Sequence, residues 1–141
     1  MDRIRHTFAR LGKSGEKALI PFSVAGYPDY ETSRDVFLMF AQAGSDIIEF
    51  GYPFSDPVAD GPVIQKAASD AIKTGITMDG ALGMVAEIRA RSEIPIIFFS
   101  YFNPILKYGP ERFASTAKQC GVDGVLLVDV PLEETAWFKP A

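Results

Sequence analysis

Four short apolar runs, each separated from the next by segments with apolar residues at helical spacing, limit what this chain can fold into. The runs are residues 18–24, 46–50, 95–101 and 124–128. The first passes through Pro21, which cannot donate to a ladder and therefore belongs near a strand end or beside an open edge. Between the runs, Val36, Phe37 and Phe40 share one face before a stop at Gly44. Ile64, Ala67, Ala68, Ala71 and Ile72 share another, with Pro62 suited to a first helical turn. Leu82, Val85 and Ala86 mark a further helix over about 78–91, and Phe113, Thr116, Ala117 and Cys120 mark the last, ending at Gly121. A short amphipathic helix with Ile4, Phe8 and Leu11 precedes everything. The predicted order is helix, then βα, βα(α), βα, β. Strands apolar on both faces and alternating with helices predict a parallel sheet under helices.

Two architectures fit that order, an open doubly wound sheet or part of a (β/α)8 barrel. No G-x-G-x-x-G follows any run, so the dinucleotide-binding form of the open sheet has no support. A closed barrel needs eight strands and typically ~250 residues. Four strands in 141 residues amount to half of that. The expectation is an α/β chain forming a single incomplete domain over 1–141, a partial TIM barrel of about four βα units corresponding to an N-terminal half-barrel. Residues 132–141 read as the loop and first turn of a fourth crossover helix.

Composition excludes several function classes. With 11 Phe and 5 Tyr the chain has ample surface to bury, and no run approaches the roughly 20 apolar residues of a membrane span. Fourteen Lys and Arg against 18 Asp and Glu give a net charge of −4, without the basic cluster that nucleic-acid binding needs. One cysteine, Cys120, allows no internal disulfide and fits a reducing cytoplasm, and the N-terminus lacks the apolar stretch of a secretory signal. His6 reads as a surface position and Cys120 as core.

In parallel α/β folds, chemistry gathers at the carboxyl ends of the strands. Ser23, the segment 49–60, the segment 100–103 and Asp129 all fall at such ends. Glu49 is the most informative, because it sits inside an apolar strand, on the face of Ile47 and opposite Ile48 and Phe50. Burial disfavours a carboxylate and raises its pKa, which suits a general acid or base. The alternative is a structural glutamate paired with a nearby lysine or arginine. The following loop, 51–62, holds three prolines and two glycines, and presents Asp56 and Asp60 on the same rim. These carboxylates divide acid and base roles with Glu49, cap loop amides, or hold a hard cation, though no metal-ligand motif accompanies them.

The stretch IEFGYPFSDPVADGP at 48–62 closely resembles the signature of the tryptophan synthase α subunit. That signature is a glutamate, a hydrophobic residue, Gly, a variable residue, then P-F-S-D-P, a variable residue and A-D-G-P. Matching features run along the whole chain: Gly26-Tyr27-Pro28 after the first strand, Tyr101, Asn103 and Pro104 after the third, and GVDGV at 121–125 leading into Asp129-Val130-Pro131 with Glu133 and Glu134. The resemblance implies a (β/α)8 carbon–carbon lyase of tryptophan biosynthesis that cleaves indole-3-glycerol phosphate to indole and glyceraldehyde 3-phosphate by a retro-aldol reaction. It implies that Glu49 is the acid/base that protonates the indole ring carbon, and that Asp60 accepts the indole N–H. Phe22, Ile64, Phe99, Tyr101 and Leu126 would line an apolar slot for the indole.

The resemblance further implies a β-subunit partner in an α2β2 complex, faced by Pro53, Asp56 and Asn103. Pyridoxal phosphate would belong to that partner, and no cofactor or metal is expected in this chain. Barrels of this kind build their phosphate site from loops after strands seven and eight. Without those loops, negligible lyase activity is expected of these residues alone. Open sheet edges also favour self-association. A non-catalytic half-barrel serving as an assembly or folding unit is the other reading, and another phosphosugar barrel, lacking the P-F-S-D-P passage, is a third.

Overall fold

The computed structural model describes residues 2–131 and 133–134. It holds four parallel strands, β1 (Phe22–Val24), β2 (Ile48–Gly51), β3 (Ile96–Ser100) and β4 (Gly124–Leu127), in the order β1-β2-β3-β4. Helix α1 (Arg3–Ser14) precedes them. α2 (Tyr30–Gln42) links β1 to β2, and α3 (Pro62–Lys73) with α4 (Met78–Arg89) links β2 to β3. The short α5 (Phe102–Tyr108) and α6 (Pro110–Cys120) link β3 to β4. The helix over 102–108 is one more than the sequence pattern predicts. Its first amide, that of Phe102, donates to Asp129 Oδ1 at 2.8 Å, so the cap comes from the end of β4 and not from a neighbouring residue. The segment expected to begin a crossover helix lies largely outside the described residues, apart from Glu133 and Glu134, where the Glu134 amide donates to the Pro131 carbonyl.

Strand β1 is shorter than its apolar run. The Leu19 amide donates to the Asp46 carboxylate at 2.9 Å, and the Asp46 amide donates back to the Leu19 carbonyl at 2.9 Å. Pro21 offers only its carbonyl, which accepts from Glu49 N–H at 3.0 Å. Regular pairing therefore begins at Phe22, after the proline.

Register defines two faces. Phe22, Glu49, Ile97 and Gly124 lie abreast, and Val24, Gly51, Phe99 and Leu126 form the next rank on the same side. The opposite face carries Ile48, Phe50, Ile96 and Phe98, all fully buried beneath α2, α4 and α6. There the rings of Phe37, Phe50 and Phe98 stack in series at 4.7 and 5.7 Å, and Phe98 meets Phe113 edge-on at 5.1 Å. Large aromatic rings in contact at these spacings add packing energy to their area burial. The expectation of strands covered on both sides holds for this face only. Phe22, Glu49, Ile97 and Phe99 are half-buried, and Leu126 is 36% exposed.

At the amino ends of the strands a partly buried ion cluster ties the elements together. Asp123 accepts from Arg89 at 2.7 Å, from Arg3 at 3.0 Å and from the Ile96 amide at 2.9 Å. Arg89 spends its other donors on the carbonyls of Ser92, Ile94 and Gly121. Satisfying every donor is the condition under which a desolvated ion pair is tolerated. Cys120 is partly buried against the core and His6 is exposed, as the pattern predicts. Among the described residues, no helix is long and apolar enough to cross a membrane.

Candidate active site

Because the strands are parallel, the segments that leave β1, β2, β3 and β4 emerge at one end of the sheet. Glu49 stands on the face opposite α2, α4 and α6, between Phe22 on one side and Ile97 on the other, with Gly51 the next residue of its own strand on that face. Its carboxylate has no ion pair or side-chain hydrogen bond among the described residues, so no lysine or arginine among them pairs with it. Its register neighbours on both sides are apolar. Gly51 explains the arrangement: a Cβ there would lie 2.6 Å from two Phe22 ring atoms, so only glycine lets that ring lie across β2. The Phe22 ring then meets Phe99 edge-on, centroids 5.3 Å apart. Phe22, Phe99 and Leu126 thus form a continuous apolar strip at the carboxyl-side rank, beside Glu49. Ile64, on α3, reaches the same neighbourhood through a small cluster with Val24, Ala68 and Phe22.

Asp60 is placed by a turn and a tyrosine. The Asp60 amide donates to the Pro57 carbonyl at 3.0 Å, the Val58 amide donates to the Asp56 carbonyl at 2.9 Å, and Gln65 Nε2 donates to the Asp60 carbonyl at 2.9 Å. Tyr101, one residue past the end of β3, is 3% exposed. Its hydroxyl accepts from the Ala59 amide at 2.8 Å and donates to Asp60 Oδ2 at 3.2 Å. Its ring lies against Phe54, centroids 5.2 Å apart. Burial pushes the Tyr101 phenol up, opposed by the Ala59 amide and reinforced by the Asp60 carboxylate. The loop over 51–62 is therefore fastened to the end of β3, and it carries Asp60 to the rim that Glu49 faces.

Of the residues expected to face a partner, Asp56 and Asn103 are exposed, with Ser55 Oγ donating to Asp56 Oδ2 at 2.6 Å, whereas Pro53 is buried beneath the loop. Tyr52 and Phe54 account for this, because their rings turn inward onto Phe98 and Tyr101 and draw the intervening proline with them. Gly51 and Phe54 are the residues whose part in shaping this rim sequence reasoning passed over. Asp129 was visible as a rim carboxylate, but its service as the cap of α5 depends on a contact 27 positions away. Among the described residues, no group of three or more His, Cys, Asp or Glu side chains is arranged to hold a metal ion.

A four-stranded parallel sheet, sealed by α2, α4 and α6 on one face and carrying on the other an acid that is unpaired among the described residues, is half of a TIM barrel with the carboxyl ends of its strands gathered on one rim. The family model for the tryptophan synthase alpha chain matches residues 8–141, and the chain belongs to that family. Among its relatives, the tryptophan synthase alpha chain of Geotalea uraniireducens is 50% identical over 141 residues, covering 100% of this chain and 53% of that protein. The alpha chain of Acidiphilium cryptum is 49% identical, covering 99% and 51%. Among solved structures, tryptophan synthase subunit alpha from Legionella pneumophila superimposes with a TM-score of 0.96 at 40% identity, covering 99% of this chain and 54% of that one. Tryptophan synthase from M. tuberculosis, in its aminoacrylate-bound form, gives 0.91 at 30% identity, covering 97% and 56%. The chain spans about half the length of the relatives it matches.

Proposed function

We propose that this chain carries the acid/base half of an indole-3-glycerol phosphate lyase, acting in tryptophan biosynthesis in the cytoplasm. The observation that carries the reading is Glu49, a carboxylate with no partner among the described residues, between Phe22 and Ile97 on the face of the sheet opposite α2, α4 and α6. Retro-aldol cleavage requires a proton on the indole ring carbon and an anion near the ring nitrogen as positive charge develops. Glu49 supplies the first and Asp60 the second. Phe22, Ile64, Phe99 and Leu126 border the flat ring, with the edge of Tyr101 above them. Asp56 and Asn103, with Pro53 beneath, face a β subunit, which holds the pyridoxal phosphate and consumes the indole.

These residues alone lack what the proposal assigns to the rest of a barrel, namely the phosphate-binding loops. Loss of that remote binding energy is felt in turnover as well as affinity. The expected outcome is that this chain cleaves indole-3-glycerol phosphate at least about a hundredfold more slowly than the full-length alpha chain of a relative. Glu49→Gln removes what turnover exists, by a further factor of about a hundred or more, while indole binding and the circular dichroism spectrum are kept. Residual turnover indifferent to Glu49→Gln refutes the assignment.

A further inference from the structure

Tyr101 makes three contacts with one loop. Its ring holds Phe54 at the start, its hydroxyl oxygen receives the Ala59 amide near the end, and its one hydroxyl proton goes to Asp60 Oδ2. A phenol has a single proton to give. With the oxygen's approach from the loop taken up by Ala59 N–H, the C–O–H rotor is turned towards the Asp60 carboxylate. At 3% exposure the side chain has little access to water that would compete for that proton.

The loop itself has few other ties to β3. Its own turn is closed by Asp60 N–H to the Pro57 carbonyl, and its apex, Val58, is 87% exposed. An apex so exposed gains no burial from which to hold its shape. The Ala59 amide would face solvent without the tyrosine, and the Asp60 carboxylate would be free to rotate about χ1 and χ2. With the tyrosine, Oδ2 is committed and Oδ1 is left to the ligand.

We infer that Tyr101 is a positioning residue, whose hydroxyl orients the Asp60 carboxylate so that its second oxygen meets a ligand N–H donor. The inference rests on the reading of Asp60 given above, and deepens it: recognition of the N–H is shared between Asp60, which accepts it, and Tyr101, which fixes where it is accepted. The ring contact with Phe54 survives in Tyr101→Phe, so that variant removes one oxygen atom and leaves the packing.

Two measurements on the full chain test this. The first compares the affinities of indole and 1-methylindole, which differ in the N–H alone. Wild type prefers indole by about tenfold, as befits a hydrogen bond to a charged acceptor. Tyr101→Phe and Asp60→Asn both bring that ratio towards one while 1-methylindole affinity is kept. A general loosening of the slot would weaken both ligands together. The second follows amide hydrogen exchange. Ala59 exchanges at least about tenfold faster in Tyr101→Phe, while the amides of β3 are unchanged.

A preference for indole that persists in Tyr101→Phe overturns the inference, as does an Ala59 amide equally slow in both proteins. If wild type binds neither ring, the functional reading of the site fails, and exchange at Ala59 alone decides the positioning role. If Tyr101→Phe does not fold, Asp60→Asn takes its place. An Ala59 amide still protected there, with the indole preference lost, supports the inference, and an unprotected one overturns it.

Discussion

Gly51 shows how one missing atom shapes a site. The Phe22 ring occupies the volume where a Cβ would stand, 2.6 Å away, and from there it reaches Phe99. A Gly51→Ala substitution forces the ring aside or bends β2, an overpacking penalty of about 1–3 kcal/mol. The expected outcome is a lower midpoint in urea unfolding at unchanged m-value, together with weakened binding of indole. An alanine that leaves both untouched would show that the ring was never held there. Glu49 shares the arrangement, because Phe22 is its register neighbour on β1 and supplies it no partner.

At the scale of elements, α3 depends on charges along its exposed side. Lys66 and Lys73 flank Asp70 at 2.6 and 2.9 Å, one turn before and just under one turn after. The Lys66 hydrogen bond first, and that of Lys73 second, hold the Asp70 carboxyl down to about 2 against an ordinary 3.8. A carboxyl depressed on folding contributes stability that is present above 3.8 and lost as pH falls from 3.8 to about 2. Asp70→Asn removes that contribution. Its stability, followed by urea unfolding at several pH values, should fall less steeply across that window than the wild type's. An identical slope in both proteins would show that the two lysines do not hold the carboxylate in solution.

Elements also show what was legible in the chain and what was not. The four strands and five of the helices could be read, because their signals are local: apolar runs, helical spacing, Pro62 in a first turn, Gly44 and Gly121 as stops. Glu49 could be placed on the face of Ile47 by alternation alone, and Asp60 on the same rim by loop length. Helix α5 could not be read, since its N-cap, Tyr101, makes no side-chain capping bond and Asp129 does that work from the turn after β4. The first strand was overdrawn because hydrophobicity continues through 18–21 whereas pairing waits for Pro21 to pass. The grip of Tyr101 on Asp60 spans 41 positions, and Pro53 is buried because its two aromatic neighbours turn inward. Contacts of that range leave no periodic trace.

For the whole molecule the two faces of the sheet differ in kind. One is dry and stacked with phenylalanine; the other exposes Leu126 in part, and among the described residues β1 and β4 have no strand beyond them. Such a surface associates with whatever complements it. In sedimentation velocity this chain is expected to self-associate as its concentration rises through the micromolar range, and addition of a charge by Leu126→Lys should shift it towards monomer. A monomer at all concentrations would argue against open edges as the driver, and would also weaken the reading of these residues as an assembly unit. The division of faces has a consequence for how such a sheet can change. Since the helices secure it from behind through Ile48, Phe50, Ile96 and Phe98, the half-buried Ile97 and Phe99 in front carry less of the work of keeping the chain folded. Exchanging Ile97 or Phe99 for residues of other shapes would then alter which small molecule fits, with the scaffold left standing, so that new specificities lie a few substitutions away from the present one.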